Sequence, residues 1–353
     1  MDRDGEVMPA VFEMQIARFG GPGVFRSVDH APPVLRPGCV RIRVAAAGVN
    51  FADVQMRMGL YPEAPGLPFT PGFEVAGTVT ETAPGIGQPG VGDRVLAVTV
   101  FGGYATEVVV PAWQVRRIPA GLTEVEAAAI PVAFSTAAVA LHEMARVRPG
   151  DRVLVVGAAG GVGTAAVQLA ARAGAEVTGL VGSEAKKAPV IALGAREAFT
   201  HAEWAGRPGA GDRTEPRRFD VVLESRGGRS LRSSLGLLAP SGRLVSFGFS
   251  SIVSGPRRSL VRAAAIMLAT PRIGVLRLVM RNQGVFGANL LRLLADEQGR
   301  EVAVRAFALS LEGFAGGLLR PVVDRVFPLA EAGAAQAYLQ SRASVGKVVL
   351  EKR

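Results

Sequence analysis

The chain of 353 residues has a single cysteine, Cys39. One thiol excludes an internal disulfide and a zinc site built on several cysteines. Histidine is nearly as scarce: the three, His30, His142 and His201, are scattered without the spacing of a ligand set, so no metal is expected. Aromatic residues make up only 6% of the chain, and no basic run is interleaved with them, which argues against nucleic acid as a partner. No run of about 18 apolar residues occurs, so no membrane-crossing helix is expected. The opening Met1-Asp2-Arg3-Asp4-Gly5-Glu6 is polar and lacks the apolar stretch of a secretory signal, and a cytoplasmic location is the expectation. There is no internal repeat and no low-complexity tract.

What is present points to a folded protein of two domains. Hydrophobic residues make up 49% and charged residues 20%, which excludes a disordered chain, and the length allows two sizeable cores. Gly 44 and Pro 23 call for many turns, as a β-rich portion would supply. Lys plus Arg 40 against Asp plus Glu 30 gives a net charge of +10. That surplus reads either as a solvated basic surface or as attraction toward an anion such as a nucleotide phosphate.

The most informative stretch is Val153-Leu154-Val155-Val156-Gly157-Ala158-Ala159-Gly160-Gly161-Val162-Gly163-Thr164, continuing to Leu169. Four apolar residues read as a buried strand, the glycines as a loop, and the apolar-periodic run after them as a helix. A phosphate-cradling turn needs that order: Gly157 for the tight turn, Gly160 for close approach of backbone to a pyrophosphate, Gly163 for packing helix on strand. Ala159, Gly161 and Val162 complete the loop, and the pyrophosphate would sit at the helix N-terminus, where bare N–H groups and the helix dipole favour an anion. The first gap is one residue longer than in the usual dinucleotide fingerprint, and a glycine-rich turn without a ligand is the alternative.

Around this stretch the pattern divides in two. Before about residue 130 the chain reads as strands punctuated by Pro and Gly, with Val40-Arg41-Ile42-Arg43-Val44 alternating as a half-buried strand does. This part is expected to be a small antiparallel barrel or sandwich. From 151 onward, strands at 153–156, 176–181, 219–223 and 243–247 alternate with helices at 164–173, 184–193 and 230–238, which predicts a doubly wound parallel sheet. Near the C-terminus Val322-Val323-Asp324-Arg325-Val326-Phe327 and Gly346-Lys347-Val348-Val349-Leu350 read as strands returning to the first domain. The expected division is 1–132 with 291–353 returning to it, and 133–290 as the nucleotide-binding domain.

Gly48-Val49-Asn50-Phe51-Ala52-Asp53, Gly59-Leu60-Tyr61, Thr70-Pro71-Gly72-Phe73-Glu74-Val75-Ala76-Gly77, the glycine turn, Val245-Ser246-Phe247-Gly248 and Val345-Gly346-Lys347-Val348-Val349-Leu350 together resemble the medium-chain dehydrogenase/reductase superfamily. Within it the chain is most similar to the zinc-free quinone oxidoreductase branch, of the VAT-1-like type. The resemblance covers nearly the whole chain. It implies an α/β fold with a Rossmann domain and a GroES-like β-barrel catalytic domain, an active cleft between them, NADPH as cofactor, and a homodimer. Zinc-bearing relatives place a histidine beside Glu74, where this chain has Phe73.

Without a Lewis acid to stabilise an alkoxide, reduction of an electron-poor acceptor is the easier reaction. The expected acceptor is a quinone or an α,β-unsaturated carbonyl. Asn50 and Tyr61 are the candidate donors to its oxygen, Tyr61 also a candidate proton source, and Asp53 a supporting acid. The plainer reading makes Asn50 the cap, and Asp53 the first-turn acid, of a helix over 51–58. Many quinone reductases carry a tyrosine where this chain has Gln55. At the end of the second strand, Gly182 and Ser183 stand where an NAD enzyme places a ribose-binding acid, and Lys186 falls where the family sets a lysine on the 2′-phosphate. Glu184 lies close enough to leave NAD open. Resemblance adds Thr136, Ser225, Phe247 and Gly248 as cofactor contacts.

The segment 254–282 carries Arg257, Arg258, Arg262, Arg272, Arg277 and Arg281 with no acid, broken by Pro271. It reads as a lid, a dimer contact, an interfacial membrane helix or an ordinary packed hairpin. Two alternative functions follow. One is an enoyl reductase of polyketide or lipid metabolism. The other is a VAT-1-like nucleotide-binding protein acting at a membrane surface or on a partner.

Overall fold

The structure is a computed structural model describing residues 11–206, 218–253, 255 and 258–352. Its strands are β1 Val11–Ile16, β2 Phe25–His30, β3 Cys39–Val49, β4 Glu74–Thr82, β5 Arg94–Val98, β6 Glu107–Pro111, β7 Val115–Arg117, β8 Arg152–Val156, β9 Glu176–Val181, β10 Glu197–Thr200, β11 Phe219–Glu224, β12 Leu238–Ser246, β13 Gly284–Gly287, β14 Val323–Pro328 and β15 Lys347–Glu351. The α-helices are α1 Phe51–Arg57, α2 Glu124–Ala127, α3 Pro131–Ala138, α4 Gly161–Arg172, α5 Lys187–Ile191, α6 His201–Gly206, α7 Arg229–Gly236, α8 Leu260–Ala269, α9 Val275–Arg281, α10 Leu290–Ala295, α11 Glu297–Ala315 and α12 Ala332–Gln340.

The chain forms two compact units, one of residues 1–132, 255–258 and 321–353, the other of 133–254 and 259–320. The first is built on a sheet of order β14-β15-β3-β4-β5-β7, with β6 also paired to β3, and a separate β1-β2 ladder. Val40, Ile42, Val44, Val75, Val79, Val95 and Leu350 fill its core. The two arginines that alternate on β3 divide: Arg43 is exposed, as expected of a half-buried strand, and Arg41 is not. Arg41 is buried, held by Glu81 on β4 at 2.8 Å and Glu107 on β6 at 2.6 Å. Glutamates on both flanking strands reach Arg41, and a buried arginine must be paired. The expected C-terminal return is present, with β15 antiparallel to β3.

The second unit is a six-stranded parallel sheet of order β10-β9-β8-β11-β12-β13, cored by Leu154, Val156, Leu180, Val222 and Leu244. From β8 the chain moves outward to β9 and β10, then returns to the other side of β8 for β11. The switch point of the sheet therefore lies between β8 and β11, beyond their carboxyl ends, where ligands bind in such sheets.

The C-terminal return begins later than the sequence suggests. Residues 291–320 stay with the parallel-sheet unit because α11 is anchored there: Phe314 packs edge-on against Phe134 at 4.7 Å, Arg305 pairs with Glu143 at 2.7 Å, and the Gln168 amide exchanges two hydrogen bonds with the Arg320 backbone at 3.0 Å. The helical run Glu124–Met144 has the length and apolarity of a membrane span, yet 78% of its window is buried inside the protein, as in a core helix. In the 254–282 segment, Arg257 lies outside the described residues, and Pro271 separates α8 from α9 as expected. This pair is not an ordinary packed hairpin. Val261 and Leu268 are each 81% exposed, and Val275, Leu276, Val279 and Met280 are exposed beside them.

Candidate active site

In the first unit β3 runs into α1 at Asn50, whose extended backbone ends the strand and begins the helix. Its side chain is fixed at both ends. Asn50 Nδ2 donates to Glu74 Oε1 at 2.8 Å, and Asn50 Oδ1 accepts from Lys347 Nζ at 2.7 Å. Lys347 also donates to Glu74 Oε1 at 2.7 Å and to the Val49 carbonyl at 2.9 Å. Glu74 Oε2 accepts from the Val132 amide at 2.7 Å. Glu74 and Lys347 side chains are 0% and 5% exposed, so two opposite charges are buried and satisfied together. One Nδ2 hydrogen of Asn50 remains for another acceptor.

Asp53 is the third residue of α1, in its first turn, and fully buried. Its carboxylate accepts from the Asn50 backbone N–H at 2.8 Å, the Gly72 backbone N–H at 3.1 Å and the Tyr104 hydroxyl at 3.1 Å. Burial pushes its pKa from 3.8 up to about 7, against the lowering pull of the Asn50 hydrogen bond and of Lys347. Burial, then the charge of Asp53, pushes the Tyr104 phenol well above its usual range, so it stays a donor. The geometry gives Asp53 a supporting part: it ties the start of α1 to the 70–72 loop and has no face on which a substrate could rest.

Tyr61 is half-buried and meets this network through Phe73, ring against ring at 6.1 Å, with Phe101 on Phe73 at 5.5 Å. An aromatic stack therefore fills the position next to Glu74, and Lys347 supplies the counter-charge to that carboxylate. Among the described residues no group of three or more His, Cys, Asp or Glu is placed to hold a metal. Lys347 and Tyr104 were not legible as site residues. Lys347 was visible only as part of the closing Gly346-Lys347-Val348 run, and Tyr104 only as a strand residue.

In the second unit, the glycine turn joins β8 to α4 at the switch point. Gly157 takes φ +80°, and a Cβ on Gly163 would run into the Gly157 carbonyl, so both glycines are required. Gly160 caps α4 without a side chain, leaving the amides of Gly161, Val162 and Gly163 bare. Ala158 and Ala159 are buried beneath the turn. Ser225, just past β11, donates to the Val156 carbonyl at 2.9 Å, and the Phe247 amide donates to the Glu224 carbonyl at 3.0 Å, which brings 225 and 247–248 together at the same sheet edge. Ser183 and Lys186 follow β9, the strand adjoining β8. Thr136 lies on α3, buried. Lys187, the neighbour of Lys186, pairs with Glu184 at 2.7 Å and also with Glu203, so the acid nearest the end of β9 already has a cation.

Residues 36–120 match the alcohol dehydrogenase GroES-like domain family, and residues 193–350 match the family described as zinc-binding dehydrogenase. The synaptic vesicle membrane protein VAT-1 homolog of Mus musculus is 35% identical over 323 residues, which covers 90% of this chain and 78% of that relative. The chain belongs to the medium-chain dehydrogenase/reductase superfamily, in its VAT-1-like and quinone oxidoreductase branch. The quinone oxidoreductase of Thermus thermophilus, solved also in complex with NADPH, is similar at 39% identity and TM-score 0.77, covering 96% of this chain and 99% of that one. CurK enoyl reductase is similar at 26% identity and TM-score 0.81, covering 97% and 99%. Within the superfamily the coarse class is an NAD(P)-dependent oxidoreductase, with a Rossmann-like unit and a separate GroES-like unit.

Two outcomes follow. Lys347→Met leaves the Glu74 charge buried and unpaired, which costs about 3–5 kcal/mol. Chemical denaturation should show that loss, and should show part of it recovered in Lys347→Met/Glu74→Gln. A single variant as stable as the parent would contradict the pairing. The second outcome concerns Asp53. Between pH 3.8 and about 7 the folded protein keeps a proton on Asp53 that the unfolded chain releases, so this carboxyl destabilises the fold as pH rises through that window. Asp53→Asn removes the contribution. From pH 5 to 8 its unfolding free energy should therefore fall less, or rise more, than the parent's, and parallel profiles would show the carboxyl titrating normally.

Proposed function

We propose that the protein is a zinc-independent, NADPH-dependent reductase of a quinone or an α,β-unsaturated carbonyl compound. The observation that carries this reading is the glycine turn at the switch point of the parallel sheet, with Ser183 and Lys186 rather than a free acid past the neighbouring strand. The turn fits a dinucleotide by its own geometry: a positive φ at Gly157, no side chain at Gly160, and bare amides at the start of α4. Gly157, Ala159, Gly160, Gly161, Val162 and Gly163 would hold the pyrophosphate, Ser183 and Lys186 the 2′-phosphate, and Thr136, Ser225, Phe247 and Gly248 the remainder. When bound, NADPH supplies the hydride.

The protein's own part is to receive the charge that then develops on the acceptor oxygen. The free Nδ2 hydrogen of Asn50 and the Tyr61 hydroxyl are the donors we assign to it. The Glu74–Lys347 pair fixes the Asn50 amide, so no reorientation is needed as charge builds. Zinc independence rests on the composition of the site: Phe73 in an aromatic stack, and Glu74 neutralised by Lys347.

Two other readings each have an observation behind them. Similarity to CurK enoyl reductase favours an enoyl thioester as acceptor. The exposed apolar side chains of α8 and α9, set among arginines with no acid, favour a role at a membrane surface or in a homodimer.

The test is NADPH consumption against a panel of quinones, enones and enoyl thioesters, run with and without a strong chelator. NADPH should support turnover better than NADH, Lys186→Ala should erode that preference, and chelation should change nothing. Tyr61→Phe should slow the accepted substrate by on the order of 100-fold with cofactor affinity near normal. Equal use of NADH and NADPH by the parent would remove the cofactor assignment, and undiminished turnover by Tyr61→Phe would make the phenol only a wall of the pocket.

A further inference from the structure

Arg226 stands directly after Ser225, whose hydroxyl touches the strand end that opens the glycine turn, and the cofactor-binding set above does not include it. Its backbone is held firmly. The Arg226 amide donates to Glu224 Oε1 at 2.7 Å, and its carbonyl accepts from the amide of Ser251 at 3.1 Å and from the Ser251 hydroxyl. Its side chain has no such support. The guanidinium is half-buried, its Nε is fully covered without a hydrogen-bond partner, and no carboxylate pairs with it among the described residues.

The nearest acid in sequence cannot serve. Glu224 is fully buried, and its carboxylate already accepts from the Arg226 amide, the Gly227 amide at 3.3 Å, the Ser230 hydroxyl at 2.9 Å and the Ser234 hydroxyl at 2.6 Å. Four donors saturate a carboxylate. Glu224 thus acts as a clamp on the 225–228 loop and not as a counter-ion.

A covered guanidinium nitrogen with nothing to donate to is costly. The position of the cost is informative. β11 pairs in parallel with β8, Val221 to Leu223 against Val153 to Val155, so the residues after β11 lie beside the turn after β8. Contact is direct at Ser225, whose hydroxyl bonds the Val156 carbonyl and would lie 2.8 Å from a Cβ on Gly157. Arg226 thus carries a half-buried guanidinium, unpaired among the described residues, at the carboxyl edge of a parallel sheet, one residue past the serine that touches the glycine turn. Guanidinium donors match phosphate oxygens in charge and in fork geometry.

From this juxtaposition we infer that Arg226 is a further ligand-binding residue of the protein, donating to a phosphate of the bound dinucleotide. The inference rests on the dinucleotide reading above and adds to it a phosphate contact outside the glycine turn. The pyrophosphate and the 2′-phosphate share the chemistry, and the experiment separates them.

The test is direct binding of NADPH and of NADH to the parent, Arg226→Gln and Arg226→Lys by titration calorimetry, with melting of each ligand-free protein alongside. Arg226→Gln should weaken binding about tenfold or more, and Arg226→Lys should restore part of it. The ligand-free glutamine variant should melt no lower than the parent, because the arginine side chain has no hydrogen-bond or ion-pair partner to lose among the described residues. Equal weakening for both dinucleotides assigns the contact to the pyrophosphate, and weakening confined to NADPH assigns it to the 2′-phosphate. Unchanged affinity for both in Arg226→Gln overturns the inference and leaves the cofactor reading intact. So does a lower ligand-free melting temperature with unchanged affinity, which would reveal a structural arginine. A parent that binds neither dinucleotide overturns both.

Discussion

The first unit depends on the buried pair of Glu74 and Lys347. The two residues are 273 positions apart, yet their charges meet at 2.7 Å with almost no exposure. Through them the end of β3, the start of β4, the start of β15 and the Val132 amide converge on two side chains. Such a pair adds little net stability over an apolar replacement, since desolvation offsets attraction, but losing either partner strands a charge. Its consequence is positional. The same two groups hold both ends of the Asn50 amide, so the candidate catalytic donor is fixed by the interaction that fastens the C-terminal strand to the sheet.

The charged residues buried in this unit follow one rule. Asp53, Arg57, Arg41 and Glu74 are all buried, and each is satisfied by partners on other elements. Arg57 donates to Gln336, Gln340 and the Gly20 carbonyl, at 2.6 to 3.0 Å, and burial pulls its pKa down to about 10, still charged near neutrality. These networks pin α1 on several sides. The helix that begins at Asn50 is therefore located by hydrogen bonds as well as by apolar packing, which suits an element carrying a residue that must be held in one orientation.

The second unit reaches a preformed site by a different route. A parallel sheet whose chain reverses direction at β8 leaves a crevice at the carboxyl ends of β8 and β11, and no strand crosses it. What lines that crevice is backbone: the turn at 157–160, the amides opening α4, and the loops after β11 and β12. Glu224 stiffens one of those loops from beneath with four accepted hydrogen bonds. Arg226 lies in that loop, its backbone held by the Glu224 carboxylate and by Ser251.

By itself the sequence determined what depends on near neighbours. The strand, turn and helix around Gly157 were legible because a positive φ, a missing Cβ and an apolar period are written within a dozen residues. The α/β class followed from the alternation after residue 151, and the Asn50–Asp53 helix start from a capping pattern three residues long. Tertiary structure alone decided which distant residues complete each site. Lys347 finds Glu74, and Ser225, with Arg226 next to it in the chain, comes to the glycine turn, only because strands pair in a particular order and register. The allegiance of 291–320 and the edge strand β13 were equally hidden, since packing of Phe314 on Phe134 leaves no mark on local periodicity. Local conformation is a property of adjacent residues, whereas the partner of a buried charge is chosen by the sheet that brings it there.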